Sequence, residues 1–266
     1  MLEIEGLTKR FRGFTAVNDV TFRVDEGEIL GLIGPNGSGK STIFNLVSGA
    51  FPPTAGSIRF RGASIAGDNP STICHRGIAR TFQIPRPFGR LSVLENVMLS
   101  AYFGSDGSIS RAEAHLRAKD AIELTQLPED VDTPVQGLGA AGLKKLELAR
   151  ALATEPSLLL ADESLGGLDE AEMERAADML ERVRSERGIT VVWVEHIMGV
   201  LMRVVDRCVV LDHGEIIAEG LPSSVAANER VVEVYLGTEP SAVPPTAAQR
   251  GGGDGHDGGE GAPATC

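Results

Sequence analysis

The stretch GLIGPNGSGKST, Gly31 to Thr42, constrains this chain more than any other part of it. Gly34 to Ser41 fits the spacing G-x-x-x-x-G-K-S in full, after the apolar run EILGLI and before the helical TIFNLVSG. With the alternation of short apolar runs and helical patterns elsewhere in the chain, this strand, glycine loop and helix suggest an α/β core with a mostly parallel sheet. The residue types also specify a chemistry. Gly34, Gly37 and Gly39 let successive backbone N–H groups turn toward phosphate oxygens, at which the following helix points its positive end. Lys40 adds a point charge at the β- and γ-phosphates, and Ser41 offers its hydroxyl to Mg²⁺. Asn36, Ser38 and Thr42 complete the loop and the first helical turn. The bland alternative is a glycine-rich turn with no ligand, but the strand-loop-helix setting is the one a phosphate loop needs.

Short apolar runs alternate with helical patterns in residues 1–85 and 151–237, which are expected to form the nucleotide-binding α/β core. The early runs LEIEGL, AVNDVTFRV and SIRF are turn-separated and predict an antiparallel layer beside it. Residues 86–150 are rich in Ala, Leu, Glu and Arg and predict an inserted helical subdomain. CVVLDHGEIIAEG reads as a β-hairpin about His213-Gly214. Residues 238–266 are rich in Pro and Gly and nearly free of large apolar groups, so they cannot repay their ordering entropy and are expected to be a disordered tail.

A second chemical element is SLLLADES, an apolar strand ending in Asp162-Glu163. It delivers two carboxylates to the carboxyl edge of the sheet, where such folds bind ligands. Asp162 is placed to hold Mg²⁺ through water, and Glu163 to orient and deprotonate an attacking water. By itself Asp-Glu after a strand is also a common helix start. The run ITVVWVEH ends similarly in Glu195-His196, where a lone His is ordinarily just a polar loop residue.

The net charge of −12 argues against a binder of nucleic-acid backbone, which shows a basic face. No apolar run approaches the roughly 20 residues that cross a bilayer, and MLEIEGLTKR lacks a signal-peptide pattern, so a membrane role would use a separate subunit. Cys74, Cys208 and Cys266 show no metal or redox spacing, and reduced thiols in a cytoplasmic protein are expected.

With the phosphate loop, LLLADE and VVWVEH in this order, residues 2–237 resemble the ATP-binding subunits of ABC transporters. LTKRFRGFTAVNDVTF, GIARTFQIPRPF, LSVLENVM, EHIMGVLMRVVDRCVVLDHGEIIAEGLPSSV and VVEVYLG are most similar to the LivG type of branched-chain amino-acid importers. The resemblance implies a P-loop NTPase (RecA-like) core with an antiparallel β subdomain and an inserted α-helical subdomain, hydrolysing ATP with Mg²⁺. It implies further residue roles. Phe11 would stack on adenine, with Phe14 a competing candidate. Gln83 would sense Mg²⁺ and the γ-phosphate, His196 would donate to the γ-phosphate, and Asp169 would communicate across a dimer. The partners implied are membrane permease subunits, docking in a groove near Phe88, and a second ATP-binding subunit, on the inner face of the cell membrane. A nucleotide-binding scaffold with little hydrolysis and a soluble non-transport ABC ATPase are the alternatives. The transported solute is open: amides, urea or another small polar solute fit as well as a branched-chain amino acid.

One segment departs from that pattern. GLGAAGLKKLELARAL carries an amphipathic helix from Lys144 on, but its start holds no side-chain oxygen that could cap it. In the family this helix follows a Leu-Ser-Gly-Gly-Gln type sequence that completes the partner's ATP site. This chain supplies Leu138, Gly139, Ala140, Ala141 and Gly142, leaving backbone at Gly139 and Gly142 as the contact. A heterodimer with one hydrolytic and one weak site is expected; a homodimer would carry the altered segment twice.

Overall fold

A computed structural model describes residues 1–105, 108–127, 132–162, 169–195 and 198–236. The chain runs β1 (Leu2–Phe11), β2 (Phe14–Val24), β3 (Ile29–Ile33), α1 (Lys40–Val47), β4 (Ala55–Phe60), β5 (Ala63–Ser64), α2 (Pro70–His75) and β6 (Ile78–Arg80). Helices α3 (Val93–Gly104), α4 (Arg111–Leu124) and α5 (Ala140–Leu152) follow. Then come β7 (Leu158–Asp162), α6 (Glu170–Arg187), β8 (Thr190–Val194), α7 (Met198–Val204), β9 (Arg207–Asp212), β10 (Glu215–Gly220), α8 (Pro222–Ala226) and α9 (Glu229–Leu236).

Two sheets result. The expected antiparallel layer has the order β2-β1-β4-β5, and its hairpin β1–β2 turns through Arg12 and Gly13, both at positive φ as a two-residue turn requires. The second sheet has the order β10-β9-β3-β8-β7-β6, with β6 to β9 and β3 parallel and β10 antiparallel at the edge. Strands ILGLI, LLLAD and TVVWV are buried at every residue, as expected where both faces of a parallel sheet are covered. The hairpin about His213-Gly214 forms as read.

Sequence patterns do not anticipate β6. It is only three residues long, and it joins β7 in parallel register, Ile78 opposite Leu158 and Arg80 opposite Leu160. Between these two neighbours lies the excursion through α3, α4 and α5. Small residues on those helices, Ala101, Ala114, Ala118 and Ala149, are buried and let the helices approach closely. Their core is continuous with the sheet through Val97, Leu146 and Trp193.

Helices α2, α3, α4 and α6 begin at side-chain caps. Ser92 and Glu95 form a reciprocal capping box on α3, and Asp169 and Glu172 form one on α6. Helix α5, like α1 and α8, has no side-chain cap. It begins at Ala140, a turn before its amphipathic pattern, with Gly139 at the cap position and no side-chain cap. Among the described residues no helix is long and apolar enough to cross a membrane. The disorder expected of residues 238–266, and Cys266 with it, lies outside the described residues.

Candidate functional site

The loop Gly34–Gly39 joins the carboxyl end of β3 to α1. Its shape depends on contacts that only glycine permits. Gly34 has φ 148°, and a Cβ there would lie 2.1 Å from the Leu211 carbonyl oxygen. Gly39 has φ 109°, and its Cβ would lie 2.8 Å from the Ala16 carbonyl oxygen. The loop therefore rests directly on the backbone of β9 and β2. The turn of the β9–β10 hairpin supports it too: Gly214 N–H donates to the Ser38 carbonyl at 3.0 Å, and Asn18 N–H donates to the Gly214 carbonyl at 2.8 Å. Gly214 is a structural residue of the site that its sequence context marks only as a turn. The signal available is its place in an unusually tight His-Gly corner.

Lys40 is 4% exposed, and its Nζ donates to the carbonyls of Gly34 at 2.7 Å and Pro35 at 2.9 Å. Its charge is thus held at the mouth of the loop by backbone oxygens. Ser41 and Thr42 follow in the first turn of α1, whose cap is Gly39 with no side-chain bond. A cleft lined by Phe14, Ala16 and residues 36–42 opens over this turn. Free N–H groups, a helix N-terminus and a buried ammonium together suit a chain of phosphates.

The two candidates for the adenine contact, Phe11 and Phe14, lie in different surroundings. Phe11 meets Phe51 edge-on, centroids 5.6 Å apart, with Lys9 Nζ over its ring at 5.1 Å. Phe14 is the ring that lines the phosphate cleft. The two-residue turn at Arg12-Gly13 makes the two aromatics direct cross-strand partners, but only Phe14 lines the phosphate cleft, which no spacing rule distinguishes.

Asp162 ends β7 and is buried. Its N–H donates to Thr81 Oγ1 at 3.1 Å, and its Oδ2 accepts from Arg80 at 2.7 Å. Among the described residues no group of three His, Cys, Asp or Glu side chains forms a metal cage. A hydroxyl at Ser41 and a carboxylate at Asp162 are hard oxygen donors that fit Mg²⁺, an ion that keeps waters and phosphate oxygens as its other ligands. Glu163 and His196, the expected base and γ-phosphate donor, lie outside the described residues. Asp169 is placed at the start of α6, where its carboxylate accepts from Glu172 N–H at 2.7 Å.

Gln83 leads from β6 toward the helices and is exposed. The segment after it is gripped by one face of α5. Lys144 Nζ donates to the Gln83 carbonyl at 2.8 Å, and Arg150 donates to the Arg86 carbonyl at 2.9 Å. Glu147, between them on the same face, pairs with Arg150 at 3.0 Å and accepts from the backbone N–H groups of Phe82 and Arg86. Burial raises the Glu147 carboxyl above its usual range, opposed by Arg150 and those N–H groups. The groove beside this clasp contains Phe82, Glu147 and Arg150, and Phe88 stacks its ring against Arg150 at 5.3 Å.

At the other end of α5, Gly139 and Ala140 are exposed. Leu143 N–H is the first to find a helical acceptor, Gly139 O at 3.0 Å, so the preceding N–H groups of the turn face outward. Burial pushes the Cys208 thiol up to about 11 and raises Cys74, which lines the groove beside the clasp; both thiols are outside disulfides.

Comparison with known proteins follows the same lines. A family model described as ABC transporter matches residues 17–166, and one described as branched-chain amino acid ATP-binding cassette transporter matches residues 215–240. The chain is 34% identical over 249 residues to the high-affinity branched-chain amino acid transport ATP-binding protein BraF of Pseudomonas aeruginosa, covering 89% of this chain and 98% of that protein. It is 32% identical over 249 residues to LivG of Escherichia coli (strain K12), with the same coverage. Among solved structures, the ADP conformation of the ATP-binding cassette MJ1267 superposes with a TM-score of 0.82 at 28% identity, covering 90% of this chain and 99% of that one. The dimeric cassette MJ0796 bound to ADP and Pi gives 0.76 at 28% identity, covering 84% and 99%.

Proposed function

The chain belongs to the ATP-binding subunits of ABC transporters, of the LivG and BraF type, and from that premise we propose that it powers an importer of branched-chain amino acids through two unequal ATP sites. It is an ATPase. The base stacks on the β1–β2 hairpin, where Phe14 borders the cleft and its cross-strand partner Phe11 meets Phe51 edge-on. The phosphates lie along residues 34–42, with Lys40 released from its carbonyls to the β- and γ-oxygens. Ser41 and, through water, Asp162 would hold Mg²⁺, which when bound would supply neutralisation of the charge developing on the phosphates. Glu163 takes the proton of the attacking water, His196 donates to the γ-phosphate, and Gln83 reports the state of the site to the helices.

The partners in this reading are permease subunits on the inner face of the membrane and a second, different ATP-binding subunit. A permease helix seats in the groove beside Phe82 and Phe88, and the clasp from α5 carries its movement to the start of that helix.

The observation that carries the inequality is the exposed, uncapped start of α5. There the partner's γ-phosphate meets backbone N–H groups and about half a positive charge, with no serine hydroxyl and no glutamine side chain. Each lost hydrogen bond to a charged group costs about 1.5–3 kcal/mol, or about one to two orders of magnitude in rate if it falls on the transition state. The chain's own nucleotide, served by Lys40 and Glu163, is completed by the partner and is the hydrolytic one. Glu163→Gln in the assembled transporter should then nearly abolish phosphate release, while the matching change in the partner does much less. Equal losses would overturn the reading.

A further inference from the structure

Arg80 belongs to no phosphate-binding motif, yet its guanidinium joins three parts of the site. Nη2 donates to Asp162 Oδ2 at 2.7 Å. Nη1 donates to Asn45 Oδ1 at 2.7 Å and Ser48 Oγ at 3.2 Å, both at the far end of α1. The group lies 5.7 Å from the Phe44 ring centre and 5.1 Å from that of Phe82, the residue before Gln83. Asp162 is buried and Arg80 nearly so, with side chains 7% and 10% exposed, and Arg80 also borders the groove that holds Phe82, Glu147 and Arg150.

A buried ion pair is poor evidence of stabilisation, because an apolar pair of the same volume does as well. What the fork geometry of an arginine adds is direction: planar donors fix the orientation of the carboxylate they hold. Here one carboxylate oxygen is committed to Arg80, so the rotation of the other is set by a side chain anchored on the phosphate-loop helix and bordering the groove.

We propose that Arg80 is a positioning residue that aims Asp162 at the nucleotide's Mg²⁺ and ties that aim to the groove floor. The proposal rests on Asp162 being a metal-side carboxylate. Two effects of losing Arg80 oppose each other. Removing a positive charge near the site would tighten Mg²⁺ binding by electrostatics alone, whereas releasing the carboxylate's orientation would weaken it. Outer partners of metal-holding groups ordinarily cost about 10- to 100-fold in metal affinity when removed, so the loss of orientation outweighs the electrostatic gain.

The test is the affinity of the full chain for a fluorescent ADP, which is not hydrolysed, with EDTA and with Mg²⁺. The ratio of the two dissociation constants is the gain due to metal. Arg80→Gln removes a positive charge and should weaken the EDTA value only slightly, which also reports a folded loop, while cutting the metal gain about tenfold. Arg80→Lys keeps the charge without the fork and should recover only part of it. Asp162→Asn is measured alongside and should lose at least as much as Arg80→Gln. If Asp162→Asn keeps the full gain, the metal assignment of Asp162 fails and the role of Arg80 with it. If Asp162→Asn loses the gain and Arg80→Gln keeps or increases it, the positioning role alone is overturned. Full recovery by Arg80→Lys would likewise overturn it, since charge would then suffice.

Discussion

Returning a hydroxyl to the start of α5 tests the proposed inequality of two ATP sites at a single atom. Gly139 has φ −70° and ψ −179°, ordinary values for serine, and a Cβ placed there meets nothing within 4 Å. Gly139→Ser therefore adds a hydroxyl without strain. As helix caps, glycine and serine differ by only a few tenths of a kcal/mol, which moves Tm by about 1 °C in a chain of this size. A hydrogen bond from the same hydroxyl to a phosphate oxygen is worth about 1.5–3 kcal/mol, or about ten- to hundredfold in rate when made in the transition state. The two magnitudes are far enough apart for one substitution to separate a structural effect from a catalytic one. The assay is phosphate release by the assembled transporter carrying Glu163→Gln, so that residual turnover comes from the site that α5 completes. Gly139→Ser should raise that residual rate about ten- to hundredfold with Tm nearly unmoved. An unchanged residual rate would mean that the missing hydroxyl does not limit this site, and the altered segment would no longer account for unequal sites.

Two further outcomes follow from the same geometry. Phe14→Ala should weaken ATP binding more than Phe11→Ala, by equilibrium binding of a fluorescent ATP analogue; the reverse order would return the base to Phe11 and its neighbour Phe51. Glu147 holds its proton more tightly folded than unfolded, because burial raises its carboxyl, so it makes stability fall as pH rises from its ordinary 4.5 through the raised folded value. Urea denaturation across that range should show a shallower fall for Glu147→Gln, and an identical slope would assign the pH dependence to other groups.

Much of the site is legible without coordinates because its chemistry is local. A phosphate loop needs its glycines, lysine and serine within a few residues of one another, so Gly34 to Ser41 declare themselves in a short window. Completely apolar five-residue runs such as ILGLI and LLLAD declare buried strands for the same reason. The start of α5 is legible as an absence, since a helix with no capping oxygen stands out against those that have one. Asp162 is legible because it ends such a strand, but its partner is not.

Arg80 and Asp162 are 82 positions apart in sequence and become neighbours only because β6 pairs with β7 across the helical excursion. The same holds for Gly214 beneath Ser38, for the grip of α5 on residues 82–86, and for Phe14, rather than its cross-strand partner Phe11, lining the cleft. The sequence by itself determined most of the elements, though not the short β6, together with the phosphate-loop pattern and the unusual helix start, since periodicity, capping and glycine spacing act over a turn or two of chain. Only the tertiary structure decided which distant groups share a face, because strand order and close backbone packing depend on the whole core burying itself at once, and no local window carries that information.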